Sequence, residues 1–562
     1  MKNSPEQLYG LWLASAKDDA DLQTELSAMK GNSDLIFDAF YRDLAFGTGG
    51  LRGVIGAGTN RMNIYTVRKA SLGLARYVLA AAGKGAKIAV SYDSRIKSRL
   101  FAEQASAVFA SLGLKVFMYP ALMPTPCLSY AVRALGCASG IMVTASHNPS
   151  KYNGYKVYGS DGCQITDAAA AAILAEIEKA DCFEKLSLTF EDGLRNGSVS
   201  YIEDAVTDAF LAEVKKTSPV GPDEKDKNLK IVYSPLNGTG LVPVTRILAE
   251  TGYTDVTVVP EQREPNGNFP TCPYPNPEIR EAMAKAVELA TAKDADLVLA
   301  TDPDCDRVGI AVKDNGGKFV LITGNEVGLL LLDFLLETKK AKGTLRSDAV
   351  MVKTVVTTDL ADVIAERFGV RTVNVLTGFK YIGEVIGNLE KEGDASRYLF
   401  GFEESYGYLG GSYVRDKDGV YGAFIICEMC AALRRRGISV YEQLQAVYAK
   451  YGYALNTLHS YTFEGAAGFA TMQGLMKDFR ENTKEIAGTP VASLIDYLND
   501  DTGLPKSDVL KFRLTDGTSV VVRPSGTEPK LKIYLSVRAD GEAAAHAKEA
   551  VFAAALTART QK

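Results

Sequence analysis

The chain is predicted to be an α/β protein of several similar domains, and two features carry the prediction. Strands and helices alternate along most of its length, and three times an apolar strand stops abruptly at a cluster of polar residues. From about Leu458 onward the order changes to strand, helix, two strands and a terminal helix, which predicts a smaller α+β domain there. At 562 residues the chain exceeds what one hydrophobic core organises, and roughly three to five domains are expected.

The first block begins after a helical lead-in with Phe46-Gly47-Thr48-Gly49-Gly50-Leu51-Arg52-Gly53. Arg52 stands where a dinucleotide fingerprint needs its last glycine, so the stretch reads as a flexible turn presenting Arg52. A helix from Thr66 follows, with Val67, Ala70, Leu74 and Val78 on one face. Then come a strand at Ile88 to Val90, a helix near Ser98 to Leu112, a strand at Leu114 to Met118 and a helix near Pro126 to Leu135. The closing strand, Ile141-Met142-Val143, runs into Thr144-Ala145-Ser146-His147-Asn148-Pro149. Ligands of open α/β sheets bind at carboxyl ends of strands, and a hydroxyl there beside an imidazole suits nucleophilic or phosphoryl-carrying work. An ordinary strand exit capped by Ser and Asn is the plain alternative.

The second block places strands at Lys230 to Tyr233 and Val256 to Val259, helices at Leu241 to Glu250 and Glu278 to Lys293, and a closing strand at Leu297 to Ala300. That strand opens onto Thr301-Asp302-Pro303-Asp304-Cys305-Asp306-Arg307. An extended backbone would point Asp302, Asp304 and Asp306 to one side, where they would repel unless a cation sat among them. Three carboxylates plus a phosphate oxygen suit a hard ion, Mg²⁺ above all. A solvated acidic turn has no need of three acids in phase. The nucleophilic D-x-D of aspartyl phosphatases ranks second, since that motif wants Thr or Val where Asp306 stands.

The third block places helices at Asn325 to Glu337, Asp359 to Arg367 and Phe379 to Leu389, and strands at Val350 to Val355 and Val370 to Leu376. Its closing strand, Tyr398 to Gly401, opens onto Phe402-Glu403-Glu404-Ser405, whose acceptors suit sugar hydroxyls. In the last domain Arg523-Pro524-Ser525-Gly526-Thr527 combines a guanidinium fork, two hydroxyls and backbone N–H groups in one tight turn, a phosphate grip. Lys156 and Lys417 could act as general acid or base if desolvated near other cations; taken singly, each is an ordinary surface lysine.

Composition bounds these readings. With 46% hydrophobic and 23% charged residues and no apolar run of membrane-spanning length, the chain reads as soluble and globular, and its N-terminus shows no secretory signal. A cytoplasmic protein is expected. Eight scattered cysteines make no disulfide framework, and Cys427-Glu428-Met429-Cys430 lies in an apolar helical stretch where packing is the better reading than metal. A formal net charge of −5, from 63 basic and 68 acidic residues, gives no broad basic surface for nucleic acid. The P-loop and the G-x-S-x-G elbow are both absent.

The four loops T-A-S-H-N-P, D-P-D-C-D-R, F-E-E-S and R-P-S-G-T-E-P-K together resemble those of the α-D-phosphohexomutases, in the family's order and over nearly the whole chain. The resemblance implies three similar α/β domains with mixed sheets (residues 1–205, 206–317 and 318–456) and a smaller C-terminal α+β domain (457–562) around a central cleft. It implies phosphate carried on Ser146, one Mg²⁺ held by Asp302, Asp304, Asp306 and modified Ser146, and His147 as a phosphate contact or loop-ordering group. Because G-L-R-G and T-G-F-K look like further family segments, Arg52, Thr377, Gly378 and Lys380 are implied to line the site. Glu403, Ser405 and Arg307 join the last three around the sugar, and Arg523, Ser525, Gly526 and Thr527 around the remote phosphate. The E-E-S and R-D-K-D-G stretches are similar to the glucose branch. That branch interconverts glucose 1-phosphate and glucose 6-phosphate through a phosphoserine enzyme and a glucose 1,6-bisphosphate that also primes it. G-F-E-E and Y-N-G-Y-K-V-Y also look like the branch with phosphopentomutases, so mannose and pentose phosphates stay open, as do an aspartyl-nucleophile phosphatase and a non-catalytic sugar-phosphate binder. The partner expected is a small sugar phosphate, with neither nucleic acid nor membrane, and the oligomeric state is left open.

Overall fold

The computed structural model describes residues 4–47, 49–221, 227–463, 465–525 and 530–561. The chain forms two compact units, Met1–Ala311 with Gly411–Glu428, and Val312–Gly410 with Met429–Lys562.

In the first unit one sheet has six strands in the order Gly50–Val54, Tyr152–Gly159, Ser139–Val143, Lys87–Tyr92, Lys115–Met118 and Val199–Tyr201. The last four run parallel, whereas Tyr152–Gly159 is antiparallel to both its neighbours, so the sheet is mixed as expected. Every residue of Ser139–Val143 is buried, which is why that strand reads as a continuous apolar run. The predicted face of the helix Ile64–Ala82 (Val67, Ala70, Leu74 and Val78) shares one core with Ile88, Val90, Ile141 and Val143. Each buried Val, Leu or Ile among them contributes roughly 1.5–3 kcal/mol. The helix starts at Asn63, whose side chain accepts the N–H groups of Tyr65 and Thr66. A second sheet sets Val308–Lys313, Leu297–Thr301, Ile231–Ser234 and Val256–Val258 side by side, the last three parallel.

In the second unit the strands Arg371–Val375, Val350–Thr354 and Tyr398–Glu403 are parallel, and Gly407–Leu409 folds back antiparallel on the third. A wholly antiparallel sheet follows, in the order Tyr453–Thr462, Lys530–Ala539, Ser519–Pro524, Leu510–Leu514, Thr489–Asp496 and Glu485–Ile486. Met472, Leu475, Met476 and Phe479 of one helix and Phe552 and Leu556 of another fill one core with it. That is the α+β plan read from the changed element order. Among the described residues no helix is long and apolar enough to cross a membrane. Cys427 and Cys430 are buried on the helix Gly419–Arg435, as packing predicts.

One local expectation is overturned. The stretch around Arg52 is not a flexible turn but the edge strand Gly50–Val54, with Arg52 opposite Gly154 on Tyr152–Gly159. Glycines on both strands allow the close pairing: a Cβ at Gly50, where φ is 148°, would meet the Tyr155 carbonyl oxygen at 1.9 Å, and one at Gly154 would meet the carbonyl oxygens of Thr144 and Leu51 at 2.5 and 2.8 Å. A strand held by glycine packing lacks the apolar alternation that betrays a strand.

Candidate active site

Ser146 is the third residue beyond the strand Ser139–Val143 and holds a left-handed backbone, φ 52°. Such a conformation costs a non-glycine residue about 1–3 kcal/mol and needs surrounding bonds to enforce it. The Ser146 N–H donates to the Thr144 hydroxyl at 2.8 Å, and that hydroxyl donates to Asp93 Oδ2 at 2.6 Å. Arg95 is the larger restraint. Its guanidinium donates to the carbonyl oxygens of Ser146 and Asn148, and to those of Pro149 at 3.0 Å and Tyr152 at 3.1 Å. Asp93 also accepts from Ser98 Oγ at 2.7 Å. So held, Ser146 Oγ donates to Asp302 Oδ2 at 2.9 Å and lies 3.3 Å from His147 Nδ1. Loss of water, then the positive charges of Arg307 and Arg52, holds the His147 imidazole well below its usual pKa, so it is neutral near pH 7.

The three acids converge, but not on an extended backbone. The Cys305 N–H closes a turn onto the Asp302 carbonyl at 2.9 Å, and Cys305 takes φ 51°. The turn folds Asp302, Asp304 and Asp306 inward until ligand oxygens of all three lie within 4.8 Å of one another, every one buried. Asp302 Oδ1 accepts the N–H groups of Asp306 and Arg307 at 3.1 and 3.0 Å. Burial, then repulsion from Asp306 and Asp304, drives the Asp302 carboxyl well above the ordinary range. Burial opposes ionisation of Asp304 too, but Lys156 and Lys417 more than offset it and hold that carboxyl below its usual value. Asp304 Oδ1 and Asp306 Oδ1 are buried and accept no hydrogen bond among the described residues. Two orphaned carboxylate oxygens beside a third acid and a serine hydroxyl are a donor set that fits a hard divalent cation.

The predicted lysines come to the same place. Lys156 Nζ lies 2.7 Å from Asp304 Oδ2 and 3.2 Å from Asp306 Oδ2, and Lys417 Nζ lies 3.1 Å from Asp306 Oδ2. Lys417 rides on Gly411–Glu428, which belongs to this unit and is fastened to it by hydrogen bonds on both sides of the lysine. Arg415 N–H donates to Ser129 Oγ at 3.0 Å, Tyr158 OH to Asp416 Oδ2 at 2.8 Å, and Gly419 N–H to the Cys305 carbonyl at 3.1 Å. Only glycine fits the last position, since a Cβ would stand 2.6 Å from that carbonyl oxygen. Arg52 is exposed and reaches Asn148 Oδ1 at 3.4 Å; Arg307 pairs with Glu278.

The second unit carries further predicted residues, of which Glu403 and Gly378 meet. Glu403 ends the strand Tyr398–Glu403, is buried, and accepts the Gly378 N–H at 2.9 Å; Ser405 sits at the tip of the hairpin that follows. Gly378 precedes the helix Phe379–Lys391, whose first turn carries buried Lys380, and Thr377 Oγ1 is buried with no hydrogen-bond partner among the described residues. Arg523 lies near the end of the strand Ser519–Pro524 with its Nε buried and unbonded among the described residues, and Ser525 N–H donates to the Lys530 carbonyl at 2.8 Å. Gly526 and Thr527 lie outside the described residues.

This ordered set of loops matches one family along the chain. Residues 43–183, 208–317 and 323–451 match the phosphoglucomutase/phosphomannomutase alpha/beta/alpha domains I, II and III, and residues 468–554 match the C-terminal domain. The chain belongs to that family. Phosphoglucomutase of Staphylococcus saprophyticus is 35% identical over 95% of this chain and 97% of its own length, and that of Staphylococcus aureus 35% over 94% and 95%. Among solved structures, pp63/parafusin, a phosphoglucomutase of Paramecium, covers 91% of this chain and 94% of its own at 18% identity and TM-score 0.69. A phosphoglucomutase/phosphomannomutase family protein of Burkholderia thailandensis covers 92% and 97% at 21% identity and TM-score 0.67. These likenesses to solved structures show the fold alone.

Two residues central to the geometry were not singled out in the sequence, Asp93 and Arg95. A signal was present: S-Y-D-S-R puts opposite charges directly after the apolar strand Lys87–Tyr92, where a buried pair can form. Thr125, which bonds Asp304, gave no comparable signal.

Proposed function

We propose that this chain is a phosphoglucomutase that interconverts glucose 1-phosphate and glucose 6-phosphate, with Ser146 as the phosphoryl carrier. It is a phosphosugar mutase of the isomerase class, in accord with relatives of that name at 35% identity over nearly the whole chain. The observation that carries the assignment of Ser146 is its hydroxyl 2.9 Å from Asp302, at the edge of the buried acidic triad.

In the proposed reaction the P–Oγ bond of phosphoserine breaks as a bond forms from phosphorus to the free hydroxyl oxygen of a sugar monophosphate. The hydroxyl proton ends on Oγ, and Lys156 and Lys417 are the groups proposed to move it. The resulting glucose 1,6-bisphosphate turns end over end and returns its other phosphoryl group to Ser146; the same bisphosphate primes unmodified enzyme. Asp302, Asp304, Asp306 and modified Ser146 would hold Mg²⁺, which when bound supplies Lewis-acid neutralisation of the transferring group. His147, neutral and next to Oγ, orders the loop and contacts phosphate. Arg52 is assigned a phosphate contact, and Arg307 a sugar contact, in the first unit. In the second unit Glu403, Ser405, Thr377, Gly378 and Lys380 are assigned to sugar hydroxyls, and Arg523, Ser525, Gly526 and Thr527 to the non-reacting phosphate. The division into residues 1–205, 206–317, 318–456 and 457–562, and a cytoplasmic location, belong to the same reading.

The sugar is tested by turnover of the 1-phosphates of glucose, mannose and a pentose side by side. The proposal expects the highest kcat/KM for glucose 1-phosphate. A mannose or pentose phosphate turned over more efficiently would reassign the substrate.

A further inference from the structure

The three metal-loop carboxylates are each held by one oxygen. Asp302 Oδ1 is taken by two backbone N–H groups, Asp304 Oδ2 by Lys156 and Thr125, and Asp306 Oδ2 by Lys156 and Lys417. The second oxygen of each is left over: Asp302 Oδ2 meets Ser146 Oγ, and Asp304 Oδ1 and Asp306 Oδ1 are the buried orphans. Thr125 differs from the other side-chain holders in being neutral and in lying outside both the metal loop and the lysine pair. Its hydroxyl donates to Asp304 Oδ2 at 2.9 Å and its N–H donates to the Asp304 carbonyl oxygen at 2.9 Å, so one residue fixes both ends of that aspartate.

Thr125 is well built for this task. It is fully buried at the start of the helix Thr125–Ala134 and is flanked by Pro124 and Pro126, which restrict the backbone on either side. The approach to it is pinned to the sheet, since Met123 N–H donates to the Tyr92 carbonyl at 3.1 Å and Ser91 Oγ donates to the Met123 carbonyl at 3.0 Å. Little conformational freedom remains to be lost when the hydroxyl meets the carboxylate.

We infer that Thr125 is a positioning residue for the metal site: its hydroxyl fixes the Asp304 carboxylate so that Oδ1, and not Oδ2, is presented to a divalent cation. The inference rests on the metal reading proposed above. Partners of this kind, one shell out from the ion, orient ligands and typically change metal affinity by about 10- to 100-fold when removed.

Mn²⁺ serves as the probe, with bound and free ion distinguished by electron paramagnetic resonance on the full chain without sugar phosphate. Thr125→Val keeps the shape and the backbone bond and deletes the hydroxyl; Thr125→Ala deletes it with a smaller side chain; Thr125→Ser retains it. Both deletions should weaken Mn²⁺ binding by about 10-fold with the melting temperature nearly unchanged, and Thr125→Ser should bind like the parent. Equal Mn²⁺ affinity in parent and Thr125→Val would overturn the inference, and so would a loss in Thr125→Ser as large as in Thr125→Val, which would make the role one of shape. A parent protein that binds no Mn²⁺ would instead remove the metal reading itself.

Discussion

Arg95 Nε lies 3.3 Å from Asp93 Oδ2, and neither side chain touches solvent. The pair therefore sits in the low-dielectric interior, and both partners bond the loop that carries Ser146. Breaking such a pair leaves an uncompensated buried charge, at a cost of about 3–5 kcal/mol. Arg95→Met should lower the denaturant midpoint by a corresponding amount and abolish phosphoryl transfer. Arg95→Lys should recover only part of either, since one ammonium cannot serve four carbonyls and a carboxylate spread around a planar fork. An unchanged midpoint in Arg95→Met would show that the loop is held by something else.

Chelation tests the acidic triad. Exhaustive removal of divalent ions should abolish turnover, and added Mg²⁺ should restore it. Asp304→Asn keeps the shape but removes the ligand's negative charge, and should raise the Mg²⁺ concentration for half-activation by roughly 10-fold or more. Turnover that survives complete metal removal would end the metal assignment.

How much of this was legible in the sequence depended on what kind of force sets each piece. The helix Leu241–Glu250 appears at its expected ends, and the strand Leu297–Thr301 extends its expected span by one residue, because burial of a regular apolar pattern sets both. The strand Gly50–Val54 was missed because glycine packing, not apolar alternation, holds it. The convergence of Asp302, Asp304 and Asp306 was anticipated with the wrong backbone. A left-handed Cys305 brings them together, and nothing in a cysteine announces positive φ. The link from Thr125 to Asp304 spans 179 positions, and no local pattern reports a contact of that range.

In the second unit the Glu403 carboxylate accepts the Gly378 N–H at 2.9 Å, which orients it, and it is proposed above as a sugar contact. Glu403→Gln should raise KM by roughly 10-fold, the scale of one hydrogen bond to a charged group, with a smaller change in kcat. A normal KM in that variant would remove Glu403 from the sugar contacts.

Stability of the second unit should carry a signature at alkaline pH. Lys511 Nζ lies 2.6 Å from Asp359 Oδ1, which Lys353 Nζ also approaches at 3.1 Å. Burial, then repulsion from Lys353, pushes Lys511 down to about 8 against the pull of Asp359. Between that value and the ordinary 10.5 the unfolded chain binds more protons than the folded one, so stability rises with pH across this window and is lowest below it. Lys511→Met lacks the titrating group. Denaturant unfolding of both proteins at about pH 7.5 and 9.5 should show the parent gaining on the variant at the higher pH. A difference independent of pH would mean that Lys511 titrates normally.

The most direct test of the account is the fate of labelled phosphate on Ser146. Dephosphorylated protein is incubated with glucose 1,6-bisphosphate labelled in its phosphoryl groups, digested, and the modified residue located by mass spectrometry, with Ser146→Ala in parallel. The account predicts one labelled phosphoryl group on Ser146, its transfer to added glucose 1-phosphate or glucose 6-phosphate, and neither label nor turnover in the alanine variant despite a normal melting temperature. Label on Asp302 or Asp304, or full turnover in Ser146→Ala, would contradict it.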